Sequence, residues 1–299
     1  MRRAITLTCA FIFAALSGAA AAAALPIPHA PYAEADWTQA IEPFRIAGNI
    51  YYVGAKDLTS YLIVTPKGYI LLDVGVNENA AMVAANIRKL GFDPSQIKII
   101  LNSHAHLDHA GGIAAIKRLT HAQFVASAAD APVLESGGVK DFHFGPKPQF
   151  PAVKVDRTIA DGGTVSLGGV TMTAHLTPGH TKGCTTWTLP VTVDGQPRQA
   201  LFLCSLSILS GYRLTGDPSY PTMGADYAHT YDVLHALPCE VFLGSHGQFY
   251  GMLAKRQAVL DHPAAPNPFV DPAGCKAFID RNEAAFRQKL AAARTSKAG

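Results

Sequence analysis

Ser103-His104-Ala105-His106-Leu107-Asp108-His109-Ala110-Gly111-Gly112 decides how this chain folds and what it carries. Four potential metal ligands, His104, His106, Asp108 and His109, fall within six residues. Just before them, Lys98-Ile99-Ile100-Leu101 is a short apolar, partly β-branched run that reads as a buried strand. After Gly112, the segment Ile113 to Leu119 has apolar residues at helical spacing. The cluster therefore sits between a strand end and a helix start, where open α/β sheets place their sites. Imidazole suits zinc, and a carboxylate adds a hard anionic oxygen. In a turning loop, residues two apart need not diverge as they do on a strand. His104 and His106 can then grip one metal while Asp108 and His109 point to a second. Ala105, Ala110, Gly111 and Gly112 let the backbone pack close to that site. The bland alternative, a histidine-rich surface loop, does not account for this density of ligands in this context.

Working outward, 299 residues with 48% apolar content suffice for a full core, in one large domain or two modest ones. The formal charge is +3, and Arg2 and Arg3 at the extreme N-terminus supply two of those charges. Nothing in that balance suggests nucleic acid or an anionic membrane. Those two arginines, the mostly apolar stretch Ala4 to Leu16 and the small-residue run Ser17 to Ala24 together read as a secretory signal peptide over residues 1–24. The small-residue run argues against an uncleaved anchor, and no later stretch is long and apolar enough to span a bilayer. A single soluble, exported domain over 25–299 is expected, in a bacterial periplasm. Cys9 leaves with the leader, so Cys184, Cys204, Cys239 and Cys275 remain in an oxidising compartment. Three pairings are possible. Cys239–Cys275 is the first expectation and Cys184–Cys204 the second, buried free thiols being the alternative for each.

Strands are expected at Phe44 to Ala47, Ile50 to Val53, Ser60 to Thr65, Tyr69 to Asp73 and Ile97 to Leu101, broken by Gly- and Pro-containing turns. Leu25 to Trp37 reads as extended or mobile, and Asn77 to Leu90 as an amphipathic helix. Then come a strand at His121 to Ala126, a helix at Ala128 to Leu134 and an aperiodic Gly-, Pro- and Phe-rich loop from Gly137 to Pro151. A hairpin is expected at Thr164 to Leu167 and Val170 to Leu176, and further strands at Thr185 to Leu189, Ala200 to Cys204 and Glu240 to Leu243. Helices at Ala225 to Leu237 and Ala273 to Ala293 complete the order. This order predicts two packed sheets with helices outside, an α/β layered sandwich. Two more histidines repeat the sequence of apolar strand, small residue, then His: His180 after Leu176-Thr177-Pro178-Gly179, and His246 after Val241-Phe242-Leu243-Gly244-Ser245. The remaining histidines, His29, His121, His143, His175, His229, His235 and His262, read as packed or surface residues.

The His-x-His-x-Asp-His pattern resembles the metallo-β-lactamase superfamily. That resemblance covers roughly residues 43 to 290 and implies an αββα sandwich of two similar halves with the metal site at the sheet edge. It assigns His104, His106 and His180 to one zinc ion and Asp108, His109 and His246 to a second. Many members carry a carboxylate that bridges both metals, at the end of the strand after the fourth metal-binding motif. Here that run is Ala200-Leu201-Phe202-Leu203-Cys204-Ser205-Leu206-Ser207, with no acid in it. The serines there, and Pro178-Gly179-His180-Thr181-Lys182-Gly183-Cys184, resemble class B metallo-β-lactamases of subclass three. The departure is Cys204 in place of the usual Asp before Ser-Leu-Ser. The resemblance implies an exported hydrolase that opens the β-lactam ring of penicillins, cephalosporins and carbapenems by attack of a metal-bound hydroxide. Asp108 is the expected catalytic carboxylate, with Ser205 and Ser207 on the drug's carboxylate and Tyr212 as a hydrogen-bond helper. The expected partner is a small-molecule β-lactam, the substrate of a monomeric enzyme, with neither nucleic acid nor membrane. The alternative is a periplasmic lactonase or other ester or thioester hydrolase of the same fold; a non-catalytic zinc store is disfavoured by six ligands with open positions.

Overall fold

Two β-sheets packed face to face, with helices on their outer sides, form residues 34–295, the part of the chain that the computed structural model describes. The first sheet runs, in spatial order, β1 (Phe44–Ala47), β2 (Ile50–Tyr52), β3 (Tyr61–Thr65), β4 (Gly68–Leu72), β5 (Ile97–Leu101), β6 (Gln123–Ser127) and β7 (Arg157–Ile159). Neighbours are antiparallel as far as β4 and parallel from β4 to β7. The second contains β8 (Thr164–Leu167), β9 (Val170–Leu176), β10 (Thr185–Val193), β11 (Gln196–Leu203) and β12 (Val241–Gly244), in the order β12-β11-β10-β9-β8, with only the β11–β12 pair parallel. The helices are α1 (Ala35–Thr38), α2 (Asn79–Lys89), α3 (Leu107–Ala110), α4 (Ile113–Thr120), α5 (Ala131–Glu135), α6 (Met223–Ala236), α7 (Met252–Asp261) and α8 (Pro272–Thr295).

Successive strand residues point to opposite faces, and here both faces of the first sheet are covered. Tyr61, Ile63, Ile70 and Leu72 enter the core between the sheets, while Leu62 and Leu71 turn to a second cluster with Val83 and Ile87 of α2 and Ile113 and Ile116 of α4. That is why these strands read as continuous apolar runs. On the other side, Tyr227 and Tyr231 of α6 meet Phe286 of α8, with the Tyr227 and Phe286 rings stacked at 5.6 Å. Each aliphatic side chain buried so completely stabilises by about 1.5–3 kcal/mol. The αββα sandwich expected from the sequence is what forms.

The departures have local causes. The β10–β11 hairpin is longer than expected because its outer part leaves the sheet. β9 pairs only with Thr185 to Thr188, and β12 only with Ala200 to Leu203. Pro190 and Pro197 lie on the free flanks of the resulting two-stranded ribbon, where a missing N–H does no harm. His121 does not open a strand: it caps α4 in the left-handed conformation at φ 55°, and β6 starts at Gln123. The extended reading of Leu25 to Trp37 fails at its end. Ala35–Thr38 is helical and Trp37 is buried in the second cluster, its carbonyl accepting from Asn79 Nδ2 at 2.8 Å. Short β7 and mostly exposed α7 carry too little apolar pattern to be read from sequence. Residues 1–24, the expected leader, lie outside the described residues. No described helix is long and apolar enough to cross a membrane.

Both expected disulfides form. Cys239–Cys275 ties the segment entering β12 to α8, and Cys184–Cys204 ties the start of β10 to the end of β11. Cys239 and Cys275 are 36 residues apart, a loop for which chain-entropy arguments give about 3–4 kcal/mol. Cys239→Ser is therefore expected to lower unfolding stability by about 2–4 kcal/mol, read as a shifted urea midpoint; an unchanged midpoint would show that α8 needs no staple.

Candidate metal centre

Every candidate ligand stands just past a strand end. His104 to His109 follow β5, His180 follows β9 and His246 follows β12. The parallel alignment of β4, β5 and β6, and of β11 and β12, brings those ends to one edge of the sandwich. Gly111 and Gly112 lie against the backbone of Val74 to Asn77, where a Cβ would come within 2.6–2.7 Å of its atoms, so the turn into α4 closes only with glycine.

The side chains converge in two groups. In the first, a ligand nitrogen from each of His104, His106 and His180 lies within 4.8 Å of the others, and His106 Nδ1 is 3.1 Å from His180 Nε2. In the second, His109 Nε2 is 3.2 Å from Asp108 Oδ2 and 3.3 Å from His246 Nε2, and His246 Nε2 is 3.4 Å from the same oxygen. Metal–ligand bonds of about 2.0–2.1 Å arranged tetrahedrally put neighbouring ligand atoms about 3.3 Å apart. These spacings match a cage for a divalent metal.

The outer ring nitrogens fix the tautomers. His180 Nδ1 donates to the Ser207 carbonyl at 2.7 Å, and His246 Nδ1 donates to Asp57 Oδ2 at 2.8 Å. Ser103 Oγ donates to Asp73 Oδ2 at 2.6 Å, so at 3.0 Å it accepts from His104 Nδ1. In all three rings the Nε2 lone pair therefore faces inward. His109 presents Nε2 as well, with Nδ1 3.3 Å from Asp73 Oδ2. His106 is turned the other way: Nδ1 faces inward and Nε2 is 3.7 Å from Asp141, beyond hydrogen-bond reach.

Electrostatics agree with a cation site. Burial, with the neighbouring imidazoles, holds His104 and His180 well below the usual histidine range, so both rings are neutral, the form that can bind a metal. Burial opposes ionisation of Asp108, but His109 and His246 beside it keep it a carboxylate. Burial likewise opposes charge on His109, yet Asp108 and Asp73 push it up to about 10 in the absence of a metal. Neutral rings in the first group and an ionised Asp108 in the second are the forms in which these side chains can bind a metal.

Four carboxylates escaped the sequence reading. Asp73, at φ 57° after β4, accepts from Asn102 Nδ2 and from the Ser103 amide at 2.7 Å. Asp57 accepts from His246 and the Gln248 amide. Asp141 accepts from the amides of His143 and Phe144. Asp130, just past β6, is pushed up to about 6 by burial despite three hydrogen bonds. Single acids in loops carry no motif; Asp57, Asp73 and Asp130 stand past β2, β4 and β6, while Asp141 lies in the loop after α5 with no such hint.

A cleft of about 370 Å³ opens over His106, Asp108, His180 and His246. Ser205 and Ser207 line it, with Trp37, Phe144 and Phe249 as aromatic walls. His143, expected to be merely packed or on the surface, also lines it. Tyr212 does not face this cleft: its hydroxyl donates to the His180 carbonyl at 2.8 Å and its ring borders a separate cavity. Ser207 contributes a backbone group that sequence could not suggest, the carbonyl that orients His180. Cys204 is half of a disulfide, with Sγ 3.6 Å from His104 Nδ1, beside the first group rather than the second.

Residues 54–192 match the model of the metallo-beta-lactamase superfamily. Among solved structures, the FEZ-1 metallo-beta-lactamase from Legionella gormanii is 44% identical with a TM-score of 0.83, over 86% of this chain and 98% of that one. BJP-1, a subclass B3 metallo-beta-lactamase of Bradyrhizobium japonicum, is 42% identical with a TM-score of 0.81, over 88% and 98%. Among curated proteins, a hydroxyacylglutathione hydrolase of Hyphomonas neptunium is 32% identical over 105 residues, 35% of this chain. That match spans 33% of the relative's own length.

Proposed function

The chain belongs to the metallo-β-lactamase superfamily, and from that premise we propose that it is an exported, monomeric di-zinc β-lactamase acting in the periplasm, its catalytic domain spanning residues 25–299. The observation that carries this reading is likeness along the whole fold: 98% of FEZ-1 and of BJP-1 is covered at above 40% identity. The acid-free run after β11, Cys204-Ser205-Leu206-Ser207, supports it. Asp108 and its five histidine neighbours form the ligand set.

His104, His106 and His180 would hold one zinc ion, and Asp108, His109 and His246 the other. Bound there, zinc lowers the pKa of water towards neutrality and polarises a carbonyl. The protein's own groups do the rest. Asp108, kept ionised by its histidine neighbours, would give Oδ2 to the metal and use its second oxygen, Oδ1, to accept a hydrogen bond and then a proton from the attacking water. That proton passes from Oδ1 to the lactam nitrogen as the C–N bond breaks and the ring opens. Ser205 and Ser207 offer hydroxyl donors to the drug's carboxylate from one wall of the cleft, and the aromatic walls displace water around the ring. Tyr212 acts from behind, steadying the His180 loop through its carbonyl.

A lactone or thioester hydrolase is the second reading, favoured by the hydroxyacylglutathione hydrolase match over 35% of the chain. A spectrophotometric screen of a penicillin, a cephalosporin, a carbapenem and an acyl lactone separates the two. Opening of the β-lactams, abolished by chelator and restored by zinc, is the expected result. Turnover confined to the lactone would replace the first reading with the second.

A further inference from the structure

The metal ligands come from both halves of the sandwich, and one buried carboxylate spans the seam between them. Asp130 follows β6 in the first half. Its Oδ2 accepts from the Ala105 amide at 2.9 Å, in the middle of His104-Ala105-His106. The same oxygen accepts from Thr181 Oγ1 at 2.9 Å, next to His180 in the second half. Its Oδ1 accepts from the Gly183 amide at 2.9 Å, and its own amide donates to Ser127 Oγ at 3.2 Å. Asp130 and Thr181 are each 2% exposed, so water cannot replace these bonds. The turn closes on the carboxylate tightly enough that a Cβ at Gly183 would lie 2.6 Å from Asp130 Cγ.

The other seam-crossing acid is Asp57. It takes His246 Nδ1 and the Gln248 amide from the second half, and its carbonyl accepts the Gly247 amide at 2.7 Å. Each ligand loop of the second half thus docks on its own carboxylate of the first.

We propose that Asp130 is a positioning residue that locks the His180 loop to the His104–His106 loop and so sets the affinity of the three-imidazole site for its metal, while Asp57 performs the same service for His246 and the second site. The inference rests on the metal-binding part of the proposed function and not on the identity of the substrate. In Asp130→Asn, one oxygen becomes an NH₂ donor facing donors that need an acceptor. Either the Gly183 amide or the Ala105 and Thr181 pair loses its partner, and the two loops part.

The test is competitive zinc titration of the full chain against a chromophoric chelator, with the two binding steps assigned by His180→Ala and His246→Ala. Cobalt(II) absorption of the same variants reads ligand geometry. Asp130→Asn is expected to weaken the His180-dependent step by about 10–100-fold, alter its cobalt spectrum and leave the His246-dependent step unchanged. Asp57→Asn is expected to do the reverse. Thr181→Val, which removes one hydroxyl, should give a smaller loss at the first step, and Thr181→Ser should restore it. Should Asp130→Asn fail to fold, the Thr181 pair decides alone. Equal loss at both steps, loss of fold stability with both affinities intact, or a single binding step in the parent protein would each overturn the proposal. Absence of β-lactam turnover with these shifts present would overturn only the substrate assignment.

Discussion

Asp108→Ala is expected to cut hydrolysis by at least about a hundredfold while leaving the chain folded. Asp108 sits in the turn that becomes α3, 3.2 Å from His109 and 3.4 Å from His246. It is the one anionic member of the proposed ligand set, and it faces the cleft. Its removal takes a ligand and a proton carrier from one place. The fold should survive, because His246 keeps Asp57, His109 keeps Asp73 and the strands beneath are untouched. Zinc analysis should show loss from the second site with the three-histidine site still filled. Asp108→Asn keeps the shape without the charge and should lie between the two. Turnover like that of the parent protein in Asp108→Ala would refute both the ligand set and the mechanism.

Asp73→Ala is expected to have the largest effect on stability, about 4 kcal/mol or more. Asp73 is 1% exposed, and its carboxylate accepts from Asn102 Nδ2, the Ser103 amide and Ser103 Oγ. Each buried donor left unpaired costs about 1–3 kcal/mol. The position also holds φ 57°, which aspartate and asparagine tolerate and alanine does not, adding about 1–2 kcal/mol. Metal affinity should fall about 10–100-fold, because Ser103 and Asp73 orient the rings of His104 and His109. Urea unfolding under chelation isolates the first effect and zinc titration the second. Asp73→Asn should recover the backbone part only. A loss below about 1 kcal/mol in Asp73→Ala would mean that water replaces the carboxylate.

What could be read from the sequence was what repeats. The run from His104 to His109 concentrates ligands, and the apolar strands before His180 and His246 place those residues by the same rule. Layering followed because β3, β4 and β5 bury both faces and so lack polar alternation. Asp73, Asp130 and Asp57 could not be read, since each acts through a contact 25 or more residues away. Tyr212 shows the opposite failure. A tyrosine near the site suggested a hydroxyl aimed at substrate, and that hydroxyl faces the back of His180 instead. The β10–β11 ribbon was missed because its prolines look like strand ends until both flanks are seen to be unpaired.

Because each proposed site takes a ligand from both halves, a complete site exists only in the assembled sandwich. Mass action then stabilises the native chain by about 2.7 kcal/mol when the free ion stands a hundredfold above its dissociation constant. That rivals the contribution of a disulfide. Chelation is therefore expected to leave a looser chain, read as faster proteolysis of the metal-stripped protein than of the zinc-loaded one.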